Sequence, residues 1–252
     1  MSKKTSDACI AINNFTMKFG NKTVIDDLSF EVKKGETFGF LGSNGSGKTT
    51  TMRALLGIYQ PTEGELLING KAFTPEDGAE LGYLPEERGL YKKESVIDVM
   101  TYFGQLKGLS RTNAREWSLE YLEKVQLGDK AKTKIDKLSG GQQQKVQLGV
   151  TIMNDPSILI LDEPTKGFDP VNRRLLLNIV DEQKKKGATI VYISHDMTEV
   201  ERLCDRIILL KNGNKAAYGS VSEVMKQFDK SSMDDVFLHV YGEQAALQEG
   251  GA

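Results

Sequence analysis

Thr37-Phe38-Gly39-Phe40-Leu41-Gly42-Ser43-Asn44-Gly45-Ser46-Gly47-Lys48-Thr49-Thr50 decides the architecture. Its first five residues offer no polar face, as expected of a strand buried in the middle of a sheet. Gly42 to Thr49 then fits G-x-x-x-x-G-K-[ST], and an apolar helical stretch at 52–58 follows. Strand, glycine loop and helix form the context in which such a loop cradles phosphates. The glycines let successive N–H groups and a helix N-terminus point inward, and Lys48 adds a full positive charge. Thr49 offers a hydroxyl to Mg²⁺. Read without its flanks, the segment would be a glycine turn with a surface lysine.

A second segment completes a phosphate chemistry. Ile158-Leu159-Ile160-Leu161-Asp162-Glu163 is an apolar strand ending in two acids, at the sheet edge where open α/β folds bind ligands. Asp162 suits Mg²⁺ held through water, and Glu163 can take a proton from an attacking water. On its own this pattern fits a solvated strand end equally well. Thr189-Ile190-Val191-Tyr192-Ile193 is another buried strand, with helical periodicity at 173–186 between the two, which implies a right-handed parallel crossover.

Around this core, residues 10–69 are mostly strand-like. Leu28, Phe30 and Val32 alternate with Ser29 and Glu31, so an antiparallel sheet with one wet face is expected. From 96 to 154 the period becomes helical: Val96, Met100 and Phe103 share one face, and Leu119, Leu122 and Val125 another. Asn212-Gly213 between two apolar runs signals a hairpin. Residues 231–241 suit a short helix with Asp234 and Asp235 in its first turn, and 244–252 suit a flexible tail.

Composition narrows the class. With 33 basic and 35 acidic residues the net charge is −2, which gives no electrostatic reason to expect a nucleic acid partner. Cys9 and Cys204 lack metal-ligand spacing and suit buried thiols in a reducing compartment. No stretch approaches the roughly 18 apolar residues of a membrane span, so action at a membrane would require docking onto another chain.

Leu138-Ser139-Gly140-Gly141-Gln142 opens a helix whose Val146, Val150 and Met153 share a face. It is a second anion-suited helix N-terminus, and one triphosphate does not need two in one molecule. A dimer in which the serine-glycine helix of one subunit caps the nucleotide of the other resolves this. With this segment in place, the chain resembles the nucleotide-binding subunit of an ATP-binding cassette (ABC) transporter over nearly its whole length.

The resemblance implies an α/β fold: a P-loop NTPase (RecA-like) core with an N-terminal antiparallel β subdomain and an α-helical subdomain. It implies one ABC ATPase domain over 1–242, with the helical subdomain at about 88–155, and a flexible tail over 243–252. It implies an ATPase using ATP and Mg²⁺. Gly42 to Thr50 would hold the phosphates, and Thr49, Asp162 and Glu86 would lie on the metal side. Leu138 to Gln142 is the signature, read in trans by a second copy or a paralogous subunit. Phe19 matches the aromatic residue that stacks on adenine, Asp169 the aspartate that links the two sites, and His195 the histidine that contacts the γ-phosphate. Taken singly, Phe19 reads as core, Asp169 before Pro170 as a turn or helix cap, and His195 as structural.

One position departs from the pattern. In Tyr83-Leu84-Pro85-Glu86-Glu87-Arg88-Gly89, Glu86 stands where most members have glutamine, adding negative charge near phosphates unless the metal offsets it. Arg88, Leu90 and Tyr91 are candidate contacts to a transmembrane permease. Pro85 to Tyr91 and Asp234 to Leu238 resemble the bacterial branch serving sodium and drug efflux, which implies export and a peripheral place on the cytoplasmic face of the membrane. The transported molecule is not encoded here, because its path belongs to the partner. The rivals are an ABC-type ATPase acting on ribosomes or DNA, a phosphate-loop kinase or GTPase, and a regulatory ATP-binding module.

Overall fold

The computed structural model describes residues 7–87 and 89–249, and side chains only as far as Gly242 in the last helix. The chain forms two compact units, one from the residues up to Thr74 together with those from Val191 onward, the other from Pro75–Ile190.

In the first unit, β1 (Ala8–Phe19), β2 (Lys22–Lys33) and β4 (Glu63–Ile68) make an antiparallel sheet in the order β2-β1-β4. Its register pairs Ile10 with Val32, Ile12 with Phe30, Phe15 with Leu28 and Met17 with Ile25, and all eight side chains are buried. The step from Ile12 to Phe15 breaks strict alternation. Asn14 and Asp27 take left-handed φ values of 47° and 46° there, and a 2.8 Å Asn14 to Asp27 side-chain bond holds the bulge. The bulge returns the later apolar residues to the core face.

The same unit holds β3 (Thr37–Gly42), which pairs in parallel with β8 (Arg206–Lys211), and β8 pairs antiparallel with β9 (Asn214–Ser220). Every residue of β3 is buried, as its two-faced apolar run predicts. Phe30 of β2 stacks on Phe38 and Phe40 of β3 at 5.5 Å, joining the two sheets in one core. The expected hairpin forms, with Asn212 and Gly213 both left-handed. Helices α1 (Lys48–Leu55), α6 (Met197–Leu203), α7 (Val221–Gln227) and α8 (Met233–Glu249) complete the unit. The backbone of α8 runs through Glu249, into the segment expected as a tail. Residues 250–252 lie outside the described residues.

In the second unit, β5 (Leu81–Leu84) and β6 (Ile158–Asp162) pair in parallel, and α2 (Val96–Leu106), α3 (Arg111–Lys124) and α4 (Gly140–Ile152) lie between them in the chain. Ser95, Ser110 and Ser139 each cap the following helix by accepting an N–H bond. One expectation is corrected: Leu119 is 39% exposed, and the buried stripe of α3 is Ala114, Ser118, Tyr121 and Leu122. Tyr121 takes the core volume, because its hydroxyl reaches the Lys145 carbonyl at 2.8 Å and leaves no polar group unpaired. From β6 the chain passes through α5 (Pro170–Lys185) into β7 (Thr189–Ile193), which spans the junction of the two units. Among the described residues no helix is long and apolar enough to cross a membrane.

Candidate functional site

The phosphate loop joins β3 to α1 in the first unit. Gly47 is the N-cap of α1 and supplies no side-chain cap, and the first turn of the helix contains no acid. The first amides of α1 therefore carry the positive end of the helix unopposed. Lys48 folds back over the loop, its ammonium donating to the carbonyls of Gly42 at 2.7 Å and Ser43 at 3.0 Å. The Ser46 hydroxyl is buried without a hydrogen-bond partner among the described residues, an arrangement that costs free energy until something polar arrives. This donor set fits the phosphates of a nucleotide.

Two neighbours hold the loop in shape. Gly47 sits at φ 106°, and a Cβ there would fall 2.2 Å from Ile25 Cδ1 of β2. The Gly213 N–H donates to the Ser46 carbonyl at 3.2 Å, and the Asp26 N–H donates to the Gly213 carbonyl at 3.3 Å. A Cβ on Gly213 would lie 2.2 Å from the Val24 carbonyl, so this hairpin glycine is also a contact glycine.

Phe19 is 45% exposed and meets Tyr59 edge-on at 5.4 Å, with the Arg53 guanidinium over the Tyr59 ring. The core reading of Phe19 is thereby excluded. His195 is exposed just beyond β7. Its loop is anchored by a buried carboxylate that sequence reasoning missed: Glu199 accepts from the Tyr192 hydroxyl at 2.6 Å and the Ser194 hydroxyl at 3.4 Å, and the Asp196 N–H donates to Ser194 Oγ at 3.0 Å.

The carboxylates lie in the second unit. Asp162 is buried at the end of β6. Glu163 follows in a left-handed conformation at φ 49°, which costs a non-glycine residue about 1–2 kcal/mol. Such strain collects at functional positions. A cleft of about 650 Å³ is lined by Glu86, Glu87, Gln143, Gln144, Glu163 and Lys166, among others. Across it the Lys166 ammonium bonds the Glu86 carboxylate at 2.6 Å. That bond raises the Lys166 pKa, with smaller contributions from Glu163 and Asp162. Glu86, expected to face the metal, thus already has a cation of the chain itself beside it. Lys166 was missed because nothing in its spacing marks it. Arg88 lies outside the described residues, while Leu90 is buried and Tyr91 is exposed against Tyr102 and Phe103.

Ser139 closes a capping box with Gln142: the Gln142 N–H donates to Ser139 Oγ at 3.3 Å, and the Ser139 N–H donates to Gln142 Oε1 at 2.9 Å. As an acceptor there, the Ser139 hydroxyl keeps its proton for another group. Gly140 and Gly141 are the first helical residues, whose amides have no acceptor inside the helix. Phe168 lies against Gly141, where a Cβ would approach its ring to 3.2 Å. Asp169 caps α5, accepting from the N–H groups of Val171 and Asn172 at 2.9 Å. The backbone and side chain of Asn172 hold its carboxyl below the usual range.

Residues 25–166 match the family model described as ABC transporter. An ABC transporter ATP-binding protein of Methanocaldococcus jannaschii is 45% identical over 219 residues, spanning 86% of this chain and 80% of that protein. The linearmycin resistance ATP-binding protein of Bacillus subtilis is 36% identical over 89% of this chain and 76% of its own length. A Nod factor export ATP-binding protein of Paraburkholderia xenovorans is 37% identical over 87% of this chain and 73% of its own length. This chain belongs to the ABC transporter family.

A solved ATP-binding subunit of an ABC transporter superposes with a TM-score of 0.84 at 28% identity, covering 92% of this chain and 98% of that one. A nucleotide-free ATP-binding cassette gives 0.75 at 25% identity, with 91% and 98% covered. The fold is accordingly the α/β P-loop NTPase fold with an antiparallel β subdomain. The chain is an ATP-binding subunit of an ABC transporter. In that family the loop around Lys48 is the Walker A segment.

Proposed function

We propose that this ABC subunit hydrolyses MgATP in a head-to-tail pair, with a second copy or a paralogue, and drives a separate transmembrane permease for export from the cytoplasmic face of the membrane. The observation that carries the chemistry is Glu163, held in a strained left-handed conformation directly after the buried Asp162 and lining an open cleft.

Gly42 to Thr50 would hold the phosphates through loop and helix amides, with Lys48 exchanging its two carbonyl acceptors for phosphate oxygens. Thr49, Asp162 and Glu86 would face Mg²⁺, which when bound neutralises charge on the β- and γ-phosphates. Glu163 takes the proton of the attacking water, and His195 meets the γ-phosphate. Phe19 offers a ring for the adenine, a contact worth about 1–3 kcal/mol where aromatics stack on bases. Ser139, Gly140, Gly141 and Gln142 would cap the partner's nucleotide, using the hydroxyl proton and the open amides of α4. Asp169 would join the two sites from its place at the start of α5. Export is supported by the relatives named for linearmycin resistance and Nod factor export.

Glu163→Gln tests the reading. It should retain ATP binding, lose hydrolysis by about 10²–10⁴-fold, and elute as a dimer with ATP. A variant that stays monomeric and hydrolyses ATP at the normal rate would refute both the base and the pairing.

A further inference from the structure

The last helix reaches the phosphate loop. Tyr241 of α8 places one hydroxyl between two backbone groups, donating to the Leu210 carbonyl at the end of β8 and accepting the Ser43 N–H at 3.0 Å. The Ser43 carbonyl, on the other side of the same residue, receives the Lys48 ammonium at 3.0 Å. The lysine that would meet the phosphates and the tyrosine of α8 therefore grip one loop residue from opposite sides.

Two contacts anchor the helix and one orients the tyrosine ring within it. The Lys211 ammonium donates to the Val240 carbonyl at 2.6 Å, one residue before Tyr241. The rings of Phe237 and Tyr241 lie 4.5 Å apart, one turn away on the same helix. At the other end, the Met233 N–H donates to Glu201 Oε1 at 2.6 Å, tying the start of α8 to α6.

We propose that Tyr241 is a positioning residue of the nucleotide site: its hydroxyl pre-forms the first turn of the phosphate loop, so that the seating of α8 sets the affinity for nucleoside triphosphate. A loop ordered before binding spares the ligand the ordering cost. Tyr241 touches neither phosphate nor water in this scheme, so its loss changes binding and leaves the chemical step alone. The inference rests on the phosphate loop being the ATP site.

Tyr241→Phe keeps the ring and its contact with Phe237 and removes only the hydroxyl. Direct binding of a fluorescent ATP analogue, displaced by ATP, should show Kd raised about fivefold, the scale of one lost net hydrogen bond. The KM for MgATP should rise in step and kcat should stay within about twofold. Lys211→Met, which loosens the same turn of α8 from another side, should shift Kd in the same direction. An unchanged Kd in Tyr241→Phe overturns the proposal, whether or not kcat or thermal stability falls. Affinity lost in Lys211→Met and kept in Tyr241→Phe overturns it as well. Failure of the wild-type chain to bind ATP would instead refute the proposed function.

Discussion

Replacing Gly47 with alanine should deform the phosphate loop for two separable reasons. The residue sits at φ 106°, where an L side chain is strained, and the new Cβ would lie 2.2 Å from Ile25 Cδ1 and 3.3 Å from Cγ1. The backbone contribution is about 1–2 kcal/mol and the overlap about 1–3 kcal/mol, so Gly47→Ala should destabilise by about 2–5 kcal/mol. Ile25→Val deletes Cδ1 alone and should cost about 0.5–1.5 kcal/mol.

In the double variant the nearest overlap is gone while the φ strain persists. It should be more stable than additivity predicts by about 1–2 kcal/mol, within the range seen for residues in contact. Urea denaturation of the four proteins, with unchanged m-values, measures this coupling. Strict additivity would show that Ile25 does not shape the loop, and would refute the view that the antiparallel sheet supports the phosphate site. Titration with ATP should show weaker binding in Gly47→Ala and partial recovery in the double variant.

Other consequences can be checked independently. If Glu86 faces Mg²⁺ as proposed, Lys166→Met should lower the Mg²⁺ requirement of ATP hydrolysis by freeing that carboxylate, and adding Glu86→Gln should abolish the gain; a double variant that behaves like Lys166→Met would disprove the pairing's role. Lys107 donates to the Thr151 and Met153 carbonyls at the end of α4, yet burial lowers its pKa to about 8 from 10.5. Between those values the unfolded chain binds more protons than the folded one, so stability should rise with pH in that window, by up to about 3 kcal/mol. Comparing urea midpoints of wild type and Lys107→Met at two pH values inside the window tests this, and parallel behaviour would rule it out. Gly141→Ala would press a methyl on the Phe168 ring at 3.2 Å; it should impair ATP-dependent pairing more than ATP binding, as read by gel filtration and analogue titration.

The local elements were legible because their chemistry is local. A two-faced apolar run followed by Gly42 to Thr49 has few conformations that satisfy its backbone, and Asn212-Gly213 closes a hairpin for the same reason. Ser139 could be read as a helix start because its capping partner Gln142 is three residues away. Leu119 misled because helical periodicity marks a face and not what covers it, and Tyr121 filled the core by finding the Lys145 carbonyl 24 residues along the chain.

By itself, then, the sequence determined the phosphate loop, the paired acids at the end of β6 and the order of the family's segments. Tertiary structure alone decided what grips them: Ile25 under Gly47, Gly213 on Ser46, Lys166 on Glu86, and Tyr241 on Ser43 from 198 residues away. Hydrogen bonds and van der Waals contacts act over a few ångströms in space and leave no periodicity in the chain, so partners this distant become visible only once the backbone has brought them together.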